Sequence, residues 1–209
     1  MTPEQIHIKL HEKFDDHILE FNVEALDPYV KIDPAKIYEV ATFLRQTSEL
    51  DFTALMCLSG MDYGVDENLG VVYNLHSIQH NHRITIRVDL SRENPALPSV
   101  ETVWRTADWH EREAFDLLGI RFEGHRDLRR ILCPDDWEGY PLRKDYIVQE
   151  FYKGIRVPYQ EDWMKYETLE KNPERGNFVF QFESKVPELI ESAKNGNNSD
   201  HKPEGSTDG

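Results

Sequence analysis

Residues 83–90 alternate strictly between polar and apolar side chains, and this pattern narrows the choice of fold more than any other. The apolar positions are Ile84, Ile86, Val88 and Leu90. Because successive side chains of a strand point to opposite faces, a period of two predicts a strand with one buried face. Two further strand-like runs lie at 52–59 and 70–77, and residues 80–82 predict a hairpin turn between the second and third strands.

Helical patterns lie on the N-terminal side of these strands. Residues 3–14 place apolar side chains at i, i+4 and i+8, which predicts an amphipathic helix. A second helix is predicted over 33–49, where Asp33 is a suitable N-terminal cap. Between them, residues 17–25 and 29–32 favour two short strands.

A third helix is predicted to end at Leu118, with Gly119 as its C-terminal stop. Its start lies at about Ser99 or Asp108, and Asp108 with Glu111 has the spacing of a capping box. The order of elements therefore predicts an α+β fold. We expect a mixed or antiparallel sheet with helices packed on one face.

The charge of the chain argues against two classes of partner. The 209 residues include 39 acidic and 24 basic side chains, which gives a formal net charge of −15. Binding to phosphate backbones or anionic lipid requires excess positive charge, so neither nucleic acid nor a bare membrane surface is expected. No apolar run approaches the roughly 20 residues that cross a bilayer. We expect a cytoplasmic chain without a secretory signal that reaches a membrane only through other proteins.

The sequence also lacks the residues that usually hold cofactors. The two cysteines, Cys57 and Cys133, cannot supply the four thiolates of an iron–sulfur cluster. No glycine-rich phosphate-binding motif is present. His76, His80 and His82 share one parity and would face the same way on a strand, but hairpin and surface histidines are the favoured interpretation. We therefore predict no cofactor-binding or metal-binding residue in this chain.

Residues 109–146 interleave charged and apolar side chains at high density. Seven of the eight basic residues between positions 99 and 146 are Arg, whose planar fork suits carboxylate pairing at buried or interfacial positions. Three interpretations stay open. The segment forms a solvated, salt-bridged surface, an active site that uses His110, Glu111 and Glu113 as acids and bases, or an interface anchored by Arg and Trp.

The same segment closely resembles the characteristic stretch of the C-subunit of proton-translocating NADH:quinone oxidoreductase, respiratory complex I. The resemblance covers roughly 30–146 and is strongest over 101–146, and the chain departs from the family pattern at Leu118, Arg126 and Ile147. The site residues that the resemblance assigns to an interface or structural motif are Trp109, Glu111, Arg112, Glu113, Asp116, Asp127, Arg129, Arg130, Asp136, Trp137, Arg143 and Lys144.

This resemblance implies a non-catalytic structural and assembly component of the enzyme's peripheral arm. The whole enzyme transfers electrons from NADH through FMN and iron–sulfur clusters to a quinone, coupled to proton translocation. Those cofactors would lie in partner subunits. This chain would pack against the D-subunit, near the subunits of the quinone cavity, on the cytoplasmic side of the bacterial inner membrane. The alternative is the equivalent scaffold component of a related membrane-bound hydrogenase or ferredoxin-linked complex.

Specific roles follow for the charged segment. Glu111 and Glu113 are expected to pair with arginines such as Arg112, Arg129 or Arg130, within the domain or across the interface. Trp109 and Trp137 are expected to be buried anchors.

The sequence predicts three regions. Residues 1–146 form the α+β domain, with the Arg-rich motif at 109–146. Residues 147–194 are rich in aromatic side chains and are expected to form an extended, irregular arm that wraps a partner. Residues 195–209 are polar and are expected to be a disordered tail.

Overall fold

Helix α1 (Pro3–Phe14) begins at a capping box that Thr2 and Gln5 form. It occupies the range that the apolar spacing predicts, and its Ile6 and Leu10 are fully buried. The computed structural model describes residues 1–157, 170–171 and 178–179. By its contacts the chain divides into two units, Met1–Ile147 and Val148–Gly209.

A five-stranded mixed sheet forms the centre of the first unit. Its strands are β1 (Ile18–Asn22), β2 (Tyr29–Ile32), β3 (Ala54–Asp62), β4 (Leu69–Ser77) and β5 (His82–Leu90). They lie in the order β1-β2-β5-β4-β3. The β2–β5 pair is parallel and the other pairs are antiparallel. The predicted α+β fold with a mixed sheet is therefore confirmed. Strand β3 begins two residues later and ends three residues later than the apolar run predicts.

One face of this sheet is the core. The four apolar positions that identified β5 are all buried, as are Val71, Tyr73 and Leu75 of β4. Helix α2 (Ile37–Gln46) buries Val40 and Leu44 in the same core. The polar positions between them on β5 lie on the opposite face and are exposed or half-buried.

The start of α2 follows its sequence signals more closely than its end. Asp33 caps a short 3₁₀ turn (Pro34–Lys36) that leads into the helix, because its carboxylate accepts the N–H of Ala35 at 3.0 Å. The helix ends three residues earlier than predicted, since Thr47 has extended backbone angles.

Helix α3 (Ala107–Leu118) packs against the edge strand β3. Gly60 of β3 allows this close approach, because a Cβ there would lie 2.6 Å from the Leu118 side chain. The helix begins after Thr106, so the capping box predicted for Asp108 and Glu111 is wrong. Gly119 ends the helix in the left-handed conformation, as predicted.

Two three-residue strands were not predicted. Strand β6 (Ala96–Pro98) precedes α3 and pairs in parallel with β7 (Arg121–Glu123), which follows it. This pairing places the segment before α3 and the segment after it side by side. The motif therefore lies on a closed β–α–β unit rather than on an isolated helix.

The second unit is described only in part. Strands β8 (Phe151–Tyr152) and β9 (Ile155–Arg156) form a hairpin, and β10 (Glu170–Lys171) pairs with β11 (Phe178–Val179). The remainder of the predicted arm over 147–194, and the whole predicted tail over 195–209, lie outside the described residues. In the part of the chain that the structure describes, no helix is both long and apolar enough to span a membrane.

Candidate subunit interface

Asp116 is the charged centre of the Arg-rich motif. One carboxylate oxygen accepts three successive backbone N–H groups, from Ile131 at 3.0 Å, Leu132 at 2.6 Å and Cys133 at 2.9 Å. The other accepts Arg130 Nη1 at 2.9 Å. Burial alone would raise the pKa of Asp116, but these four donors outweigh it and hold that pKa below its ordinary value. The helix and the loop after β7 are therefore fixed together by a fully used carboxylate.

Arg130 extends this network to the end of the motif. Its Nη2 donates to the carbonyl oxygens of Trp137 at 3.1 Å and Gly139 at 3.0 Å. The half-buried Trp137 in turn donates from Nε1 to the Tyr146 hydroxyl at 3.1 Å. Arg130 and Trp137 thus hold the motif segment in place from inside the chain.

Tyr140 closes the motif over the C-terminal end of α3. Its ring lies 2.5 Å from the point where a Cβ on Gly119 would stand, so this position requires glycine for space as well as for its φ of +71°. The guanidinium groups of Arg143 and Arg130 lie 4.8 and 5.4 Å from the ring centroid. Arg143 also donates from Nε to the carbonyl of Leu118 at 2.7 Å.

The last part of the motif is attached to strand β3. The backbone N–H of Lys144 donates to Asp62 Oδ2 at 2.8 Å, and Arg92 binds both oxygens of the same carboxylate. Sequence reasoning missed Asp62 and Arg92, because they lie outside the motif and only the fold brings them to it. Asp136, another acidic residue of the motif, is exposed.

Glu111 pairs with no arginine among residues 1–157, so the expected pairing within the domain is wrong for this side chain. The side chain is fully buried and accepts Ser99 Oγ at 2.6 Å and the N–H of Val100 at 2.8 Å. Burial raises the pKa of Glu111 to about 7, although both hydrogen bonds oppose the shift. Glu113 is exposed, and over the same residues it too has no ion pair with an arginine.

A different group of motif side chains points outward, and we call it the outer face. Its members are Trp109, Glu113, Asp127, Arg129 and Leu132. The buried Arg112 connects its two parts, since its guanidinium lies 4.9 Å from the Trp109 ring and its Nε donates to the Arg129 carbonyl at 3.4 Å.

Trp109 and Arg129 are the most informative members of this face. Trp109 is 62% exposed in the chain itself, so its burial stays a prediction about a partner. The Arg129 side chain is 65% exposed, and its ion pair is with its exposed neighbour Asp127, at 3.0 Å. These side chains contribute little to the fold, in contrast to the inner network of Asp116 and Arg130.

The residues of the acid–base interpretation do not converge. His110 Nδ1 lies 3.1 Å from both the N–H and the carbonyl oxygen of Leu58 on strand β3. Glu111 points into the core and Glu113 into solvent. The three side chains therefore face three different surroundings and do not share one substrate position.

Two of the three histidines near the hairpin bind backbone carbonyls, and His76 Nε2 lies 3.4 Å from the Asn81 side-chain oxygen. His80 Nε2 donates to the Ser48 carbonyl at 2.8 Å, and His82 Nε2 donates to the Leu50 carbonyl at 2.7 Å. His76 joins them in no metal-binding group within the described residues. His80 is exposed in the hairpin turn, as the favoured interpretation expects, but His82 is buried, so the surface interpretation is wrong for His82.

An α+β domain whose charged motif is closed on itself, yet leaves Trp and Arg exposed beside it, has the features of a component of a larger assembly. The model of one family, described as the 30 kDa subunit of respiratory-chain NADH dehydrogenase, matches residues 30–152. This is more than half of the chain, and the chain belongs to that family. The resemblance found in the sequence is confirmed.

Similar proteins carry the corresponding name. The C-subunit of the NADH-quinone oxidoreductase of Chloroherpeton thalassium is 52% identical over 152 residues, covering 72% of this chain and 63% of that protein. This chain therefore spans less than two thirds of that relative. The C-subunit of the NADH-quinone oxidoreductase of Chlorobium phaeobacteroides is 49% identical over 152 residues, covering 72% of this chain and 92% of that protein.

A solved structure shares the fold. It is a chain of the membrane-bound sulfane sulfur reductase, an archaeal respiratory membrane complex, with a TM-score of 0.56 and 23% identity. The match covers 74% of this chain and 98% of that chain.

Proposed function

We propose that this chain is a structural component of the peripheral arm of an NADH-quinone oxidoreductase and that it has no catalytic group of its own. It docks on its neighbours, the D-subunit first, through the outer face. FMN and the iron–sulfur clusters belong to partner subunits, and the chain lies on the cytoplasmic side of the membrane. The family and the names of its relatives favour this role over the equivalent one in a hydrogenase or ferredoxin-linked complex.

The division of the motif into two sets of side chains carries this proposal. The inner set, Asp116 with Arg130, is satisfied within the chain. The outer set leaves a Trp ring and an Arg side chain largely exposed. Trp and Arg contribute most to binding energy when a partner desolvates them, whereas an exposed ion pair contributes under about 1 kcal/mol to the fold.

The test removes the outer face without touching the inner network. A tagged chain that carries Trp109→Ala and Arg129→Ala should recover at least roughly 30-fold less D-subunit than wild type, since a docking hot spot is worth about 2 kcal/mol. Thermal unfolding of the purified variant should match wild type, because both side chains are exposed.

A matched control changes one exposed apolar residue and one exposed Arg elsewhere in the same unit. Leu19→Ala with Arg83→Ala meets this requirement, because both side chains are exposed, Leu19 on β1 at the sheet edge opposite to β3 and Arg83 on the central strand β5. The control should retain the D-subunit. Equal recovery by the outer-face variant and the control would show that the outer face is not the docking surface.

A further inference from the structure

A buried cluster of titratable side chains lies directly behind the outer face. Nε2 of His125 lies 3.5 Å from Asp108 Oδ1, 3.6 Å from Glu101 Oε2 and 3.9 Å from Glu111 Oε2. The side chains of His125 and Glu111 are fully buried and that of Glu101 is 6% exposed. We propose that these four side chains form one proton-binding unit, which in its protonated state locks residues 124–127 onto α3.

The cluster has more buried acceptors than donors. Glu101 Oε2 and Asp108 Oδ1 are buried, find no hydrogen-bond partner in the described part of the chain, and both lie close to His125. Unpaired buried acceptors are costly, and a proton on a neighbouring carboxyl supplies the missing donor. The acceptor surplus itself therefore indicates proton uptake.

The hydrogen bonds of His125 identify which group takes up the proton. The N–H of Asp127 donates to His125 Nδ1 at 3.1 Å, so this nitrogen has no proton and the ring is neutral. Nε2 therefore carries the ring proton and donates to the Asp108 carbonyl at 3.2 Å. The additional proton must bind to a carboxyl group.

The same tautomer argues against a metal ion at this position. The cluster atoms of Glu101, Asp108 and His125 lie close enough together to hold one. Binding through Nε2 would require a lone pair there and an N–H at Nδ1. The N–H of Asp127 already occupies the Nδ1 side as a donor, so the two N–H groups would oppose each other.

The surrounding charges place the proton on Glu111. Arg126 contacts the Glu101 and Asp108 carboxylates at 3.4 and 3.3 Å and partly neutralises both, whereas no Lys or Arg within residues 1–157 pairs with Glu111. Ser99 and Val100 face Glu111 from the loop before α3. Burial, together with the charges of Glu101 and Asp108, raises the pKa of Glu111 to about 7.

The last neighbour comes from the sheet. Tyr73 of β4 has a buried hydroxyl that finds no hydrogen-bond partner among the described residues. Burial together with the charge of Glu111 raises the pKa of Tyr73 above its ordinary value. Tyr73 therefore stays neutral while Glu111 titrates.

Loss of the proton should loosen the loop at 124–127. The N–H of Arg126 donates to Glu101 Oε1 at 3.1 Å, so this amide reports on the attachment of the loop. The N–H of Asp127 donates to His125 within the loop, so this amide reports on the order of the loop itself. Three ionised carboxylates beside one Arg repel one another and lack water. Both costs decrease when the loop opens and admits water. Asp127 of the outer face ends this loop and Arg129 follows it closely, so proton release would also loosen the docking surface. That last consequence alone rests on the proposed function.

Amide hydrogen exchange by NMR on the full chain alone tests the lock. If opening returns the pKa of Glu111 from about 7 to its ordinary 4.5, opening is roughly tenfold more frequent at pH 8 than at pH 6. After correction for intrinsic rates, the Arg126 and Asp127 amides should show this tenfold loss of protection. Glu111→Gln should reduce the ratio below about twofold, and the exposed control Glu113→Gln should keep it.

Two further measurements keep the test decisive. Carboxyl ¹³C shifts of wild type should show one Glu titrating near pH 7, even if Glu111→Gln does not fold. If every Glu titrates below about pH 5.5, or if protection does not depend on pH, the proposal fails. Tight one-to-one binding of Zn²⁺ that protects the same amides at pH 8 would also overturn it. None of these outcomes depends on whether the D-subunit binds the outer face.

Discussion

Replacing Glu111 by Gln should change how the stability of this protein depends on pH. The carboxyl group is fully buried and its pKa is about 7 in the folded chain, against an ordinary value of 4.5. In the unfolded chain Glu111 loses its proton near pH 4.5, whereas the folded chain keeps the proton up to about pH 7. The folded state therefore binds more protons in this window, and stability falls as pH rises through it.

The size of the effect follows from the shift. A displacement of one pKa unit corresponds to about 1.36 kcal/mol, so the shift from 4.5 to about 7 costs about 3 kcal/mol once Glu111 is fully ionised. The cost is absent below pH 4.5 and constant above about pH 7. Gln cannot ionise, so the variant should gain about 3 kcal/mol relative to wild type between pH 4.5 and about pH 8.

Urea unfolding of both proteins across this pH range measures the difference, and subtraction cancels the titration of all other groups. Glu113→Gln is the control, because this carboxyl group is exposed and lies on the same helix. If the free energies of unfolding of wild type and Glu111→Gln stay parallel from about pH 4.5 to about pH 8, this prediction is wrong. Such a result would mean that Glu111 is ionised in the folded chain without penalty.

Three other substitutions, with one control, test the inner network and the end of α3 that Tyr140 covers. Arg130→Ala leaves the buried Asp116 without its cation and should cost about 3 kcal/mol in urea unfolding, while the neighbouring Arg129→Ala should change stability by under about 0.5 kcal/mol. Because the pKa of Asp116 is lowered, its stabilisation is present above its ordinary pKa of 3.8 and lost as pH falls through the folded value. Asp116→Asn should therefore flatten the acid limb of a stability–pH curve. Gly119→Ala should lower the free energy of unfolding by more than about 1 kcal/mol, because Tyr140 and the positive φ both oppose a Cβ.

The elements that the sequence predicts well are those set by neighbouring residues. The range of α1, the buried face of β5 and the glycine stop after α3 depend on local spacing and on backbone conformations that few residues tolerate. The three-residue strands β6 and β7 carry too little pattern to be seen. Their pairing joins residues that α3 separates in the chain, so no local pattern predicts it.

In the candidate site, too, local sequence predicts some features and only the fold reveals the others. The sequence marks the motif as a charged group but does not reveal the partner of each charge. Glu111 has the spacing of a capping residue, but its side chain is buried and accepts hydrogen bonds from Ser99 and Val100 instead. A buried carboxylate without such donors would be costly. The three amides on Asp116 are invisible in sequence, since backbone N–H groups carry no residue signature.

Photo-crosslinking tests whether the chain docks through the outer face. A photoreactive phenylalanine analogue replaces Trp109, or Leu19 as a control, in the full chain. The chain is expressed in its native host cells, and their membranes are used. After irradiation, solubilised complexes are separated by native electrophoresis and analysed by mass spectrometry. If the outer face is the docking surface, position 109 should crosslink to the D-subunit within a complex that contains flavin- and cluster-bearing subunits. Position 19 should not. A chain that migrates alone, or that crosslinks to the D-subunit from position 19 and not from 109, would contradict this prediction.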